Sequence, residues 1–295
     1  MAKESKKPSI GFVYSKNFHD ELDDDLIKIL ERRMNVVHLP IEELEDLSAI
    51  QKRVKDCKVV FNDSTFEPIT FEAIELSKTL EELGMKVINS SHSFFYQEDK
   101  WMFYLKCLEH RLPTPKTYFI PKGRIRNPAF IKEILEEGPL VLKAIFSDRG
   151  QCVEKVTSYD SLLKKLHRIA AKNPISPIIA QRYIPSNHRC YRVTLINHRA
   201  VQAIVKIGKS WKETGDPKKD HFRKIKMTGG LKEMCEKASR AFGMELCGLD
   251  LILANGRWHI IEANSSPALC FIIGETKKLM DLLADYLYSE CRKAS

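Results

Sequence analysis

At 295 residues the chain is long enough for roughly two domains of about 150 residues, which excludes a small scaffold that depends on disulfide or metal staples. Hydrophobic residues make up 43% and charged residues 29%, with 13 Gly and 13 Pro, so the disordered and fibrous classes are excluded as well. The formal net charge of +9 favours anionic partners such as nucleotides, nucleic acid or acidic metabolites without choosing among them.

The eight cysteines include no C-x-x-C pair, so reduced, mostly buried thiols in a cytoplasmic protein are expected. The first residues, MAKESKKPSIGFVY, hold no signal-peptide apolar region, and no apolar run reaches the ~18 residues of a membrane span. The expected location is the cytoplasm.

In chain order, SIGFVY at 9–14 reads as a short strand. It is followed by an acidic helix over about Asp20 to Arg33, in which Leu22, Leu26, Ile27 and Leu30 recur at helical spacing. NVVHLP at 35–40 reads as a strand, 41–55 as a helix, KVVFND at 58–63 as a strand and 68–83 as a helix capped by Gly84, before the strand MKVINS. Strands alternating with helices predict a parallel sheet ending near Ser91. A helix over about 97–110 then meets LPTPKTYFIP, whose two close prolines predict an extended crossing between domains. Beyond it, PLVLKAIF, SPIIAQRYI, YRVTLI, AVQAIVKI, GLDLILA and WHIIEAN read as strands, with helices at about 159–172, 230–242 and 275–289.

The most informative stretch is residues 248–267, GLDLILANGRWHIIEANSSP. Asp250 interrupts an apolar strand, where a carboxylate is costly to bury without a partner. Glu262 and Asn264 end the next strand and share one of its faces. A strict two-residue turn at Asn255-Gly256 places Asp250 opposite Ile261, with Glu262 on the other face, whereas a three-residue or bulged turn brings Asp250 to the shared face. A common site therefore requires an irregular turn. Three hard oxygen donors there suit Mg²⁺ bound together with water and substrate phosphates.

With these motifs the chain resembles the ATP-grasp superfamily, in particular its RimK-type carboxylate-amine (glutamate) ligases, over about residues 90–275. The resemblance implies that Asp250, Glu262 and Asn264 hold Mg²⁺, or Mn²⁺ in its place, against ATP. It matches Asp99-Lys100 to the family's D-K pair before a helix, Arg111-Leu112-Pro113-Thr114-Pro115 to its G-I-P-x-P-like crossing and Val141-Leu142-Lys143 to its V-x-K strand. Lys100 and Lys143 then serve as point charges on the triphosphate. Ser147 to Gln151, including Gly150, falls where the family has a mobile phosphate loop. Gln181-Arg182-Tyr183-Ile184 resembles the adenine-reading Q-E-Y-I linker, with Arg182 in place of Glu, and Cys190 stands at the usual ribose-binding carboxylate position. Arg192 matches a phosphate-contacting arginine.

Residues 206–226 carry eight Lys/Arg against three Asp/Glu, and the family places a long loop here beside the γ-phosphate and acceptor. Before the Gly229-Gly230 pair this segment lacks the Asn and Arg of the ribosomal-protein ligase, which implies a different acceptor. No H-E-x-x-H, G-x-S-x-G or P-loop motif occurs.

The expected fold is α/β and α+β, an ATP-grasp fold preceded by a small parallel-sheet, Rossmann-like domain. The expected division is an N-terminal domain at 1–92, a central lid subdomain at 93–182 and a C-terminal subdomain at 183–295. The expected function is an ATP- and Mg²⁺-dependent ligase that forms an amide through an acyl phosphate on an acidic substrate. Arg192, Lys206 and Arg223 would steady the phosphoryl group or an acidic acceptor. The partners are ATP and a small carboxylate and amine, or a peptide or protein terminus; nucleic acid and membrane are not expected. Two alternatives stay open: an ATP-grasp kinase acting on a polyol (inositol) phosphate, and a non-catalytic nucleotide- or RNA-binding protein.

Overall fold

The computed structural model describes residues 7–44, 46–64, 70–125, 129–147, 152–208, 211 and 221–294. The N-terminal unit alternates β1 (Ser9–Tyr14), α1 (Glu21–Glu31), β2 (Asn35–Pro40), α2 (Leu47–Val54), β3 (Val59–Asn62), α3 (Thr70–Glu82) and β4 (Lys86–Ile88). The strands form a parallel sheet in the order β2-β1-β3-β4, as the alternation predicts. Asp20 starts α1 by accepting hydrogen bonds from the N–H groups of Leu22 and Asp23.

The chain then enters α4 (Phe94–Glu98) and α5 (Lys100–Glu109), where one helix over 97–110 was expected. Asp99 makes the break. Its carboxylate accepts from Trp101 and Met102 N–H at 2.8 and 2.9 Å, which caps α5 and ends α4.

The proline-rich crossing is more than a connector. The Pro113 carbonyl accepts from Ile260 N–H at 2.8 Å, and the chain continues as β5 (Thr117–Ile120). Next come α6 (Ala129–Glu136), β6 (Leu140–Ala144), β7 (Val153–Val156), α7 (Tyr159–Lys172) and β8 (Ile178–Arg182), with an antiparallel sheet in the order β5-β8-β6-β7. The last unit holds β9 (Arg189–Ile196), β10 (Arg199–Ile207), β11 (His221–Lys224), α8 (Gly229–Phe242), β12 (Leu246–Ala254), β13 (Arg257–Asn264) and α9 (Thr276–Ala294), with sheet order β11-β10-β9-β12-β13. Strands β5, β7 and β11 and helix α6 were not anticipated. Each of these strands has four residues at a sheet edge and is defined by pairing with a single neighbour.

Buried side chains gather into separate cores. One face of the parallel sheet packs on α1 and on Met280, Leu283 and Leu287 of the C-terminal helix α9, which ties the two ends of the chain together. The other face covers Ile50, Val54, Leu76 and Leu80 of α2 and α3. Strands β9, β12 and β13 pack with Tyr96, Phe103 and Cys107 of α4 and α5 and with Leu231, Cys235 and Phe242 of α8. Helices α6 and α7 cover the β5–β8 sheet. Each fully buried Leu or Phe contributes about 1.5–3 kcal/mol, so these faces fix which sides of the two antiparallel sheets remain for ligand. All eight cysteines are thiols, six of them buried. Among the described residues no helix is long and apolar enough to cross a membrane.

Candidate functional site

Strands β9, β12 and β13 lie side by side, and their register sets Arg192 beside Asp250 and Asp250 beside Glu262. The irregularity required of the hairpin is present, but away from its turn. Asn255 and Gly256 form a tight two-residue turn with φ of 50° and 72°, joining Ala254 opposite Arg257. The extra residue is Ile261: Leu251 faces Ile260, whereas Asp250 faces Glu262. This bulge moves Glu262 and Asn264 onto the face of Asp250.

Asp250 accepts two hydrogen bonds from the guanidinium of Arg192, from Nε at 2.6 Å and Nη2 at 2.8 Å. Burial opposes the charge on Arg192, but Asp250 outweighs it and holds the guanidinium above its ordinary range. The Arg192 guanidinium also lies 5.2 Å from the Phe271 ring centroid, and Phe271 packs on Phe222 at 4.8 Å. Gly248 makes room for this arrangement. A Cβ there would lie 2.8 Å from Pro267 Cβ and 3.7 Å from Arg192 Cδ.

On β10, Ile204 lies opposite Arg192, and Lys206, only 6% exposed, lies opposite Cys190. These residues, with Tyr191, Phe222, Asp250 and Phe271, line a solvent-open cleft. Burial pushes the Cys190 thiol up, and the Asp250 carboxylate adds to the shift, so a neutral thiol stands at this wall. Phe222 and Phe271 were missed in the sequence because a lone aromatic residue has no motif; their contact with each other and with Arg192 reveals them.

Lys143 projects from β6 and donates to Gln181 Oε1 at 2.9 Å, while Gln181 Nε2 donates to Thr117 Oγ1 at 3.1 Å. Burial lowers the Lys143 pKa to about 8; Glu262 opposes the shift and the Lys100 ammonium adds to it. Lys143 is thus within electrostatic reach of both. Lys100, the first residue of α5, donates to Ile145 O at 3.3 Å and to Ser147 O. The Ser147 hydroxyl donates to Ala144 O at 3.1 Å. Gly150 lies outside the described residues.

Two expected residues turn elsewhere. Arg182 carries its guanidinium away from the linker to the C-terminal end of α6, donating to Ile134 O at 3.1 Å, Gly138 O at 2.8 Å and Glu137 at 2.8 Å. Arg223 is exposed and pairs with Val205, so it stands on the sheet face opposite Phe222 and Lys206. Tyr183 and Ile184 continue from β8 half-buried; Tyr183 N–H donates to Pro139 O at 3.0 Å, and Lys155 Nζ lies 3.6 Å from the Tyr183 ring centroid.

The donors suit a hard cation that brings its own waters and phosphates. Among the described residues no group of three His, Cys, Asp or Glu gathers into a metal cluster; the set is two carboxylates and an amide. Asn264 Nδ2 donates to Gly248 O at 3.3 Å, which leaves Oδ1 as the donor atom for a cation. Each Asp250 oxygen keeps a further lone pair beyond its bond to Arg192. Two carboxylates and few further protein ligands are the Mg²⁺ pattern.

The fold has counterparts of known structure. The ATP-grasp ligase PsnB, solved with minimal precursor, Mg and ADP, superposes with a TM-score of 0.71 at 15% identity over 96% of this chain and 98% of its own. D-alanine–D-alanine ligase from Bacillus anthracis, solved with ATP, gives 0.71 at 15% identity over 98% and 100%. In sequence, a probable alpha-L-glutamate ligase of Haemophilus influenzae (strain PittEE) is 26% identical over 219 residues, covering 70% of this chain and 68% of that protein. The model of the RimK-like ATP-grasp domain matches residues 97–283, well over half of the chain, which therefore belongs to the RimK-like ATP-grasp family of ADP-forming carboxylate-amine ligases.

Proposed function

We propose that the chain is an ATP- and Mg²⁺-dependent ligase that joins a carboxylate, on an acidic substrate, to an amine. The observation that carries this reading is the row Arg192, Asp250 and Glu262 across three neighbouring strands, with Lys143 from the facing sheet in reach of Glu262 and Lys100. Asp250, Glu262 and Asn264 would hold Mg²⁺, which when bound offsets phosphate charge.

Lys100 and Lys143 fix the triphosphate, and Gln181 orients the Lys143 ammonium through its side-chain oxygen. A substrate carboxylate oxygen bonds to the γ-phosphorus as the bond to the β,γ-bridging oxygen breaks, and ADP leaves with that electron pair. The amine nitrogen then bonds to the acyl carbon, phosphate leaves with the C–O pair, and one proton is released. Arg192 and Lys206, lining the cleft, offset the charge that builds on the transferred group and favour an acidic substrate. Arg223, on the other face, is left to the approach of an anionic substrate. The substrates are small carboxylates and amines, with a peptide or protein terminus as an alternative acceptor, and the setting is the cytoplasm.

The test is an ADP-release screen with Mg²⁺ against pairs of amino acids, dipeptides and phosphorylated metabolites. ADP should form only with both a carboxylate and an amine present, in step with amide. Asp250→Ala should lose roughly 10²-fold or more in kcat. Turnover with a polyol phosphate alone would replace the ligase reading with a kinase, and full activity of Asp250→Ala would remove the ion assignment.

A further inference from the structure

The exit of β13 is held from outside its own sheet. Ser265, directly after Asn264, is 3% exposed. Its N–H and its hydroxyl both donate to Gln97 Oε1, each at 2.6 Å, and its carbonyl accepts from Asn89 Nδ2 at 2.8 Å. The same Asn89 amide closes on the first residue of β12, donating to Leu246 O at 2.7 Å and accepting from Leu246 N–H at 2.9 Å. Asn89 follows β4 of the N-terminal unit, and Gln97 stands in α4 beyond it. Two side chains from the N-terminal side thus set where β12 begins and where β13 ends, and these are the strands that carry Asp250, Glu262 and Asn264.

Packing alone does not account for such residues. An apolar replacement of Asn89 would leave three buried backbone groups unpaired, each costing about 1–3 kcal/mol. Asn264 is fixed on both sides, its amide nitrogen on Gly248 O and its following peptide by Gln97, while Asn89 holds the carbonyl of the next one. Small rotations of that peptide would swing its Oδ1 away from the Glu262 side. Outer contacts of this kind orient the groups that hold a cation and set its affinity.

We propose that Gln97 and Asn89 are positioning residues for the cation end of the site, so that divalent-cation affinity depends on the docking of the N-terminal unit through these two amides. This rests on the reading of Asp250, Glu262 and Asn264 as cation ligands. Neither amide touches nucleotide or ion; both act through Ser265 and Leu246.

The experiment is calorimetric titration of ADP into the full chain across a Mg²⁺ series. In Gln97→Met the Mg²⁺ concentration that half-maximally enhances ADP binding should rise roughly 10-fold or more, with Mg²⁺-free ADP affinity within about 2-fold. Gln97→Glu combined with Glu98→Gln keeps an acceptor oxygen for Ser265 and reverses the donor in the 2.7 Å bond between the two side chains, so it should return to within about 2-fold of the parent, whereas Ser265→Ala, which keeps the backbone bond, should shift by about 3- to 5-fold. A lowered Tm with unchanged Mg²⁺ dependence in Gln97→Met, or in Ser265→Ala should Gln97→Met not fold, would overturn the proposal. Asp250→Ala in the same series separates the two readings. If it too leaves Mg²⁺ dependence intact, the cation assignment fails; if it abolishes that dependence while the Gln97 and Ser265 variants do not shift it, only the positioning role fails.

Discussion

Two stretches of the chain carry ionic residues in apolar surroundings, and they put them to opposite uses. In the β12–β13 hairpin, Asp250 and Glu262 meet Arg192 in one row of a sheet, and Asp250 and Arg192 line the cleft. In β8, Arg182 departs to the carbonyls at the end of α6, and the neighbouring Gln181 holds Lys143 instead of facing open space. The difference lies in the partner. Charged side-chain partners in apolar strands leave a signature in the sequence, whereas peptide carbonyls at a helix end leave none. In these strands a charge stays at the site when it meets a counter-charge there, as Asp250 meets Arg192 within one sheet and Lys143 feels Glu262 from the other.

The sharpest break of this comparison is Lys143→Met. The ammonium binds phosphate as the proposed chemistry requires, so kcat/KM for ATP should fall roughly 10²-fold. Stability should move the other way. The folded Lys143 pKa is depressed to about 8 by burial, partly offset by Glu262, against 10.5 ordinarily. Below about pH 8 the folded protein carries this destabilising buried charge in full. Between about 8 and 10.5 the unfolded chain binds the extra proton, so the Lys143 contribution to stability rises with pH across that window. Two observations follow for the parent: KM for ATP should climb as pH passes about 8, and nucleotide binding above that pH should take up a proton, seen by calorimetry in buffers of different ionisation heat. The variant should lose both effects and melt no lower than the parent at pH 7. A Lys143→Met protein that turns over ATP normally would place the lysine among structural residues.

A middle-sized effect is expected at Gly248, which belongs to the hairpin but serves it by having no side chain. In Gly248→Ala the new Cβ meets Pro267 Cβ at 2.8 Å, and a proline ring cannot swing aside as a flexible side chain would. The Ser265–Pro267 segment must shift, at a cost of about 1–3 kcal/mol in urea unfolding. Because that segment adjoins Asn264, activity should fall roughly 10-fold as well. Unchanged stability would mean that the segment has slack, and the tight packing around Arg192 would lose its explanation.

The parallel unit was legible because apolar runs such as SIGFVY and NVVHLP alternate with periodic helices such as α1, and its short strands β3 and β4 lie within the runs KVVFND and MKVINS. The acidic and amide donors of 250–264 were legible because polar groups in an apolar strand must be explained. The need for an irregularity was legible, but the place expected for it, the Asn255-Gly256 turn, is regular. Alternation demands one extra residue somewhere between Asp250 and Glu262, and only the ladder hydrogen bonds assign it to Ile261 and leave the Asn255-Gly256 turn regular. Strand β5 was hidden because the prolines before it signal a break, while the pairing with β8 that makes Thr117–Ile120 a strand is made by residues 178–181. Asn89 and Gln97 carried no signal at all, since buried amides serve backbone groups far along the chain.

Arg182→Met should have the smallest effect on catalysis, and it tests the other half of the comparison. The side chain donates to two carbonyls and a carboxylate at the end of α6, where a cation also complements the helix dipole. Methionine keeps the stem but removes the donors to Ile134 O, Gly138 O and Glu137, a loss of about 1.5 kcal/mol in unfolding free energy. The linker backbone is held separately, by Arg182 N–H to Lys116 O at 2.8 Å and Tyr183 N–H to Pro139 O at 3.0 Å, and neither bond involves the side chain. KM for ATP should therefore stay within about 2-fold while the melt shifts down. A large rise in KM with an unshifted melt would return Arg182 to the nucleotide, and the two strands would no longer differ in the use of their charges.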